Sequence, residues 1–315
     1  MREPVYVRIL LDTSQGVNPY IRLVAGESGL SKEIKKSEIN RPGLALVGFY
    51  DFFAYDRIQI FGLGEATYAK QLPYELREIV YKEFFSYNVL CCVFTHNEMP
   101  DELFCKMADE KGVSVFVTER GTTNFVSILA HLLYNLLAPM KTVHATFVDV
   151  YGIGVMLMGE SGVGKSECAL ELLERGHKLV GDDMIEIKKV DDVLLIGSCT
   201  DTLKHYMEIR GIGIINVRDI FGIRSVCEKK RIELIAFLEE WKSGKEYDRL
   251  GLDENVYTIL DVKLPLITVP VKPGRNVPVI IEAAALNQNL KKLGINSAWQ
   301  LDDNLKKFMG KKHNA

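Results

Sequence analysis

A turn near the middle of the chain has the pattern of a phosphate-binding loop. The match to G-x-x-x-x-G-K-[ST] consists of Gly159, Glu160, Ser161, Gly162, Val163, Gly164, Lys165 and Ser166. Apolar residues precede the turn as a strand would, and a strongly helical segment follows it, so the glycines stand at a helix N-terminus. Backbone N–H groups there can converge on phosphate oxygens, while Lys165 adds a charge near the β and γ phosphates and the Ser166 hydroxyl can coordinate Mg²⁺. The turn therefore predicts a nucleoside triphosphate site.

Two adjacent carboxylates, Asp182 and Asp183, follow the helix after this turn. Phosphoryl transfer to a hydroxyl needs one group that takes the proton and another that holds magnesium, and adjacent carboxylates can divide these tasks. The same pair can equally well shape a turn. Glu208 is a candidate magnesium ligand with Arg210 beside it as a phosphate partner, although a salt bridge at a strand end explains them as well.

Three other polar residues have ordinary explanations when taken singly. His144 stands in a strand candidate, where a core or edge histidine is usual, and Arg249 and Arg275 stand in turn-like sequence typical of solvated cations. The chain lacks the [NT]-K-x-D pattern of a GTPase and the H-R-D and D-F-G patterns of eukaryotic-type protein kinases. A kinase acting on a protein, a kinase of a small metabolite and a nucleotide-sensing module without transfer all remain open at this point.

Hydrophobic periodicity predicts an α/β protein with two domains. In the first half we expect strands at 5–11, 43–47, 57–61, 89–94 and 113–117, and helices at 73–86 and 100–107. A long amphipathic helix is expected from 122 to 138, and we place the domain boundary near its start. Residues 1–125 would then form an N-terminal α/β domain, and the sequence leaves open whether its role is regulation, assembly or neither. Residues 126–315 would form a P-loop catalytic domain that ends in helices.

The second half is expected to alternate strands and helices around the glycine-rich turn. The predicted strands are 143–150, 153–158, 184–188, 193–196, 213–216, 232–238 and 264–271, and the predicted helices are 165–175, 277–293 and 298–309.

Composition excludes several classes of protein. The 315 residues contain 39 Lys and Arg against 42 Asp and Glu, a net charge of −3, which does not favour binding to nucleic acid or to an anionic membrane. Neither a secretory leader nor a membrane-spanning run is recognisable, so a cytoplasmic protein is expected. The six cysteines show no metal-ligand spacing, which makes structural zinc improbable.

The same segments, in this order, resemble the bacterial HPr kinase/phosphorylase family. The likeness includes the segment from His144 through the glycine-rich turn, Gly181-Asp182-Asp183 and four further stretches. One of these four lies near the N-terminus, so the likeness covers most of the chain. Those stretches are E-I-R-G-I-G-I-I-N from Glu208, Y-D-R-L-G from Tyr247, K-P-G-R-N from Lys272 and, near the N-terminus, N-R-P-G-L-A-L from Asn40. The stretch that begins at Glu208 is far more specific than a phosphate-binding turn alone.

The resemblance implies a magnesium-dependent enzyme that phosphorylates a regulatory serine of the phosphocarrier protein HPr with ATP or pyrophosphate. It also implies the reverse reaction, in which inorganic phosphate removes the group and pyrophosphate leaves. By position, Asp183 resembles the general base, and His144, Lys165 and Arg249 resemble the other catalytic residues. Ser166 and Glu208 correspond to magnesium ligands.

The family has a phosphoenolpyruvate-carboxykinase-like core and forms homohexamers, so the resemblance implies both here. It also assigns a dephosphorylation loop, made of Pro270, Val271, Lys272, Pro273, Gly274 and Arg275. Lys272 stands where arginine is common in the family. Because a point charge cannot make the planar two-pronged contact of a guanidinium with phosphate, we expect weaker phosphorolysis.

Overall fold

The computed structural model describes residues 4–12, 20–190, 193–200, 202–247, 255–302 and 306. The chain divides into two compact units, residues 1–138 and residues 139–315. No helix in these described ranges is both long enough and apolar enough to cross a membrane.

The N-terminal unit is built around a five-stranded sheet. Its strands are β1 (Ile21–Ala25), β2 (Ile39–Asn40), β3 (Ile58–Phe61), β4 (Cys91–Phe94) and β5 (Ser114–Thr118). Their spatial order is β1-β5-β4-β3-β2, with β2 to β5 parallel and β1 antiparallel at one edge. Parallel neighbours require crossover connections. The helices of the unit are α1 (Gly43–Leu46), α2 (Leu63–Gln71), α3 (Tyr74–Phe84), α4 (Glu102–Lys111) and α5 (Thr122–Leu137).

Helix α5 belongs to the core of the N-terminal unit. Its residues Phe125, Leu129 and Leu133 are buried with Ile60 and Phe116 of the sheet. A second cluster on the sheet contains residues of α2, α3 and α4. Since α5 shares the N-terminal core, the unit ends after this helix, whereas the sequence placed the domain boundary near its start.

Two of the predicted N-terminal strands are wrong. The segment predicted at 5–11 is a 3₁₀ helix, Val7–Leu11, whose buried residues Val7 and Leu10 are three positions apart, as that helix requires. The segment predicted at 43–47 is the single turn α1, which begins after Pro42 and buries Ala45 and Leu46. Short apolar runs do not distinguish a strand from a buried helical turn.

The C-terminal unit contains a six-stranded, a four-stranded and a two-stranded sheet. The strands are β6 (Met140–His144), β7 (Thr146–Val150), β8 (Ile153–Met158), β9 (Lys178–Gly181), β10 (Met184–Val190), β11 (Leu194–Cys199), β12 (Tyr206–Ile209), β13 (Gly213–Asn216), β14 (Lys229–Arg231), β15 (Leu234–Glu240), β16 (Val256–Ile259) and β17 (Val262–Val271). The six-stranded sheet has the order β16-β17-β15-β8-β7-β9, and β17, β15 and β8 are parallel. The antiparallel sheets are β14-β11-β10-β6 and β12-β13.

The helices of this unit are α6 (Lys165–Glu174), α7 (Val217–Phe221) and α8 (Val277–Lys292). Two of them, α6 and α8, lie where the sequence predicts them, whereas α7 was not predicted. Residues 297–302 are helical, and most of the remainder of the helix predicted at 298–309 lies outside the described residues. One core cluster packs α6 and α8 on the six-stranded sheet, and another joins that sheet to β10 and β11. The six-stranded sheet is therefore covered by helices on one side and by a second sheet on the other.

The strand predicted at 143–150 is in fact two strands in different sheets. β6 pairs with β10 in the four-stranded sheet, while β7 pairs with β8 and β9 in the six-stranded sheet. The chain passes between the sheets at Ala145, whose N–H donates to the carbonyl of Asp183 at 3.1 Å. Between β9 and β10 the chain likewise passes from the six-stranded to the four-stranded sheet, at Asp182 and Asp183. The sequence hides this break because no glycine or proline stands between residues 143 and 150 to mark the end of a strand.

Candidate active site

The glycine-rich turn connects β8 to α6, as the sequence predicts. Gly159 has a φ of +144°, and a Cβ built on it would lie 2.2 Å from the carbonyl oxygen of Leu238 on β15. Because no side chain fits that distance, glycine is required for the close approach of the turn to the neighbouring strand. The turn is thereby fixed at the carboxyl edge of the parallel strands, where ligands bind in α/β folds.

Lys165 and Ser166 begin α6 and have hydrogen-bond partners on the turn and on the next strand. The Lys165 Nζ donates to the carbonyls of Gly159 and Glu160, both at 2.9 Å. The Ser166 hydroxyl donates to the Asp182 carboxylate at 3.0 Å. Both side chains thus point to the side of the turn on which the motif predicts the phosphates and metal.

Asp182 is the buried carboxylate of the pair and is 5% exposed. The Thr146 hydroxyl donates to its Oδ1 at 2.6 Å. Burial raises the pKa of Asp182, while hydrogen bonds from Thr146, Ser166 and the backbone N–H of Glu208 act in the opposite direction. From the sequence alone, Asp182 could either shape a turn or take part in metal binding. The sequence gave no signal for Thr146, which lies in an ordinary strand sequence. The structure makes both part of the site.

Asp183 has the opposite environment although it is the next residue. Its φ is +67°, a left-handed conformation that turns the chain between β9 and β10. Its side chain is 72% exposed and contacts His144 (79% exposed) with 3.3 Å between Oδ1 and Nδ1. The structure therefore brings together the two residues predicted as general base and catalytic histidine, on the solvent side of the passage between sheets.

The β12–β13 hairpin adds Glu208 and Arg210 to this arrangement. The side chain of Glu208 is exposed, while its backbone N–H bonds Asp182. The Arg210 guanidinium lies at the turn, because a Cβ built on Gly162 would be 3.0 Å from its Nη1. A cation at this position can contact a phosphate bound by the turn.

The segment 270–275 begins with the last two residues of β17, Pro270 and Val271, and its turn lies at the same sheet edge as the glycine-rich turn. The Arg275 N–H donates to the carbonyl of Lys272 at 3.1 Å, and Asn276 caps α8 by accepting from the N–H of Val279 at 3.2 Å. Among the described residues, no hydrogen bond joins Lys272 or Arg275 to the glycine-rich turn. Arg249 lies outside the described residues.

Magnesium fits the donor set of this site. No cluster of three or more His, Cys, Asp or Glu able to hold a metal occurs in the described part of the chain. A nucleotide-bound Mg²⁺ keeps waters and phosphate oxygens and needs only one or two protein oxygens. The Ser166 hydroxyl beside the buried Asp182 carboxylate, with Glu208 on the adjoining hairpin, supplies at least that number.

Comparison with known proteins identifies the family that this chain resembles. Residues 5–133 match the family model "HPr Serine kinase N terminus" and residues 135–305 match "HPr Serine kinase C-terminal domain". An HPr kinase/phosphorylase of Leptospira biflexa is 48% identical over 291 residues, which cover 92% of this chain and 90% of that protein. The Treponema pallidum (strain Nichols) protein of the same name is 44% identical over 300 residues, covering 95% and 94%.

Among solved structures, the HPr(Ser) kinase/phosphatase from Coxiella burnetii matches 49% of this chain and 93% of that chain, with 39% identity and a TM-score of 0.46. Both family models and relatives matched over nearly their full length lead to one assignment. The chain belongs to the HPr kinase/phosphorylase family.

Proposed function

We propose that this protein reversibly phosphorylates a regulatory serine of the carrier protein HPr. In the forward direction the serine oxygen attacks the terminal phosphorus of ATP or pyrophosphate, and ADP or inorganic phosphate leaves. In the reverse direction an oxygen of inorganic phosphate attacks the phosphoserine, the serine oxygen leaves, and pyrophosphate forms. Family membership and the name HPr kinase/phosphorylase of its curated relatives support this proposal.

The exposure of Asp183 and His144 is the observation that carries the proposal. A kinase of a small metabolite needs its base inside a pocket that surrounds the metabolite. Here the proposed base is 72% exposed and its histidine neighbour 79% exposed. A hydroxyl carried on the surface of another protein can reach such a base. This exposure favours a hydroxyl on a protein over a small metabolite as the acceptor, and the family relationship points to a serine.

Asp183 takes the serine proton in the forward direction and returns it to the leaving serine oxygen in the reverse direction. His144 orients this carboxylate through their contact. Lys165 exchanges its bonds to the two turn carbonyls for contacts with phosphate oxygens, and Arg210 approaches the phosphates from the hairpin. These cations and the backbone N–H groups of the turn stabilise charge on the transferred group.

Ser166, Asp182 and Glu208 would hold magnesium. When bound, the ion supplies positive charge that offsets the charge of the phosphates. Asp182 accepts the hydroxyl hydrogen of Ser166 and so leaves the Ser166 oxygen free to act as a ligand. Thr146 keeps Asp182 in that orientation.

Other parts of the proposal concern residues and properties beyond this core. The position of the 270–275 turn at the shared sheet edge supports a role for Lys272 and Arg275 in phosphorolysis. A catalytic role of Arg249, a phosphoenolpyruvate-carboxykinase-like core, a homohexamer and a cytoplasmic location stay predictions from the family resemblance.

Mass spectrometry of HPr tests the proposal. Incubation with the purified full chain and magnesium-ATP should add one phosphate to a serine, and subsequent addition of inorganic phosphate should remove it with release of pyrophosphate. Asp183→Asn is the matched control, since it should bind ATP and perform neither step. Unmodified HPr together with a phosphorylated small molecule would favour a metabolite kinase instead. ATP binding without any product would favour a nucleotide sensor.

A further inference from the structure

Trp241 directly follows β15, the middle strand of the three that end at the site. β15 lies between β8, which leads into the phosphate-binding turn, and β17, which leads into the 270–275 turn. The register pairs Glu240 with Val271, and the Trp241 N–H donates to the carbonyl of Val271 at 2.9 Å. Trp241 is 45% exposed although it is one of only two tryptophans in the chain. The partial exposure of such a large aromatic side chain at this edge of the sheet suggests that it interacts with something other than the core.

The indole of Trp241 holds a cation. The Lys272 Nζ lies 4.8 Å from the ring centroid, within the distance of a cation–π contact. The ring itself is fixed by stacking on Tyr247, with 5.0 Å between centroids and 27° between planes. The Tyr247 hydroxyl accepts from the Lys242 N–H at 3.3 Å, which closes the loop that carries both rings.

Lys272 differs from the neighbouring Lys245 in forming no ion pair with any residue that the structure describes. Lys245 pairs with Glu239 at 2.6 Å and is neutralised. None of the ion pairs among the described residues includes Lys272, whose ammonium contacts the uncharged indole. A cation held by a ring keeps its full charge for an incoming anion, and restriction of its flexible stem lowers the entropy lost on binding.

We propose that Trp241 is a positioning residue for phosphorolysis, which holds Lys272 over its ring so that the ammonium meets the inorganic phosphate that attacks phosphoserine. This inference rests on the proposed function. It also gives a reason why a lysine can serve in this turn: the ring supplies the orientation that a planar guanidinium obtains from its own geometry.

A double-mutant cycle with Trp241→Leu and Lys272→Ala tests the proposal. Phosphorolysis of serine-phosphorylated HPr is measured against phosphate concentration, and ATP-dependent phosphorylation is measured with the same preparations. Trp241→Leu should raise the KM for phosphate about threefold, the size of an exposed cation–π contact, with a smaller change in kcat. Trp241→Phe should recover most of the loss because it keeps a ring. Trp299→Leu, at an exposed tryptophan in residues 297–302, is the matched control and should leave the KM for phosphate unchanged.

The cycle separates positioning from a general structural role. If Trp241 acts through Lys272, Trp241→Leu should have no further effect on the KM for phosphate in the Lys272→Ala background. An equal effect in both backgrounds, or an unchanged KM for phosphate in Trp241→Leu, would overturn the inference. If Trp241→Leu does not fold, Trp241→Phe and Lys272→Ala still decide: a Lys272→Ala protein with unchanged KM for phosphate overturns it. Failure of the unmodified enzyme to release pyrophosphate would instead refute the proposed function itself.

Discussion

Asp183→Asn tests the proposal that Asp183 is the general base while its neighbour Asp182 supports the metal site. Asparagine is also tolerated at the φ of +67°, so the backbone turn is retained. The carboxylate is 72% exposed, and its 3.3 Å contact with His144 joins a pair of exposed side chains. Such pairs contribute up to about 1 kcal/mol. We therefore expect the free energy of unfolding to change by less than about 1 kcal/mol.

The effect on rate should be far larger than the effect on stability. An amide cannot accept the serine proton, and a general base contributes about 10²- to 10⁴-fold to a rate. This corresponds to about 3–5 kcal/mol in the activation free energy. Because the same carboxyl group returns the proton during phosphorolysis, both directions should slow by a similar factor. ATP affinity should stay unchanged, since Lys165 and the turn are untouched.

The assay combines urea unfolding, ATP binding and mass spectrometry of HPr in both directions. Asp182→Asn is the matched comparison because it makes the same chemical change in a carboxylate that is 5% exposed and bonded to Thr146 and Ser166. It should raise the Mg²⁺ concentration required for half-maximal rate. Retention of either transfer rate within about tenfold of wild type in Asp183→Asn would refute its role as the base.

Three further variants test the turn, the buried carboxylate and the buried thiols. Gly159→Ala places a Cβ 2.2 Å from the Leu238 carbonyl oxygen, so ATP binding should be lost and urea unfolding should show a cost of about 1–3 kcal/mol. Thr146→Val removes the donor to the buried Asp182 and should cost about 1–3 kcal/mol, whereas Thr146→Ser should cost less; equal losses in the two would contradict a role of the hydroxyl. Burial raises the pKa of the Cys91 thiol from 9.0 to about 12, so in this range the unfolded chain releases a proton that the folded chain retains. The free energy of unfolding should then fall with rising pH by about 1.4 kcal/mol per unit for this thiol, and Cys91→Ala should reduce that slope in urea titrations.

The glycine-rich turn was predictable because its determinants are local. A run of apolar residues, glycines at fixed spacing and a helical segment specify strand, turn and helix within a short stretch, and β8, the turn and α6 are found there. Helix α5 was predictable for the same reason, since its apolar stripe is contained in its own sequence. Its assignment to the N-terminal core was not, because that depends on which sheet the stripe meets.

The division of labour between Asp182 and Asp183 could not be predicted from their spacing. The two residues are both aspartates and share the same neighbouring sequence. Only the way the chain passes from β9 to β10 decides which of them faces the interior. That passage is matched by the passage of β6 into β7, and the two are joined by the bond from Ala145 to Asp183. A single predicted strand at 143–150 conceals both events.

The crossing between the two sheets therefore builds the site. On the buried side of the crossing, Thr146 of the β6–β7 segment and Asp182 of the β9–β10 segment lie close to Ser166 at the start of α6. On the exposed side of the crossing, His144 and Asp183 of the same two segments contact each other. These two segments thus supply a buried carboxylate suited to a role in metal binding and an exposed carboxylate that a serine of another protein can reach. The left-handed conformation of Asp183 (φ +67°), in the bend between β9 and β10, explains why a buried and an exposed carboxylate fall on consecutive residues.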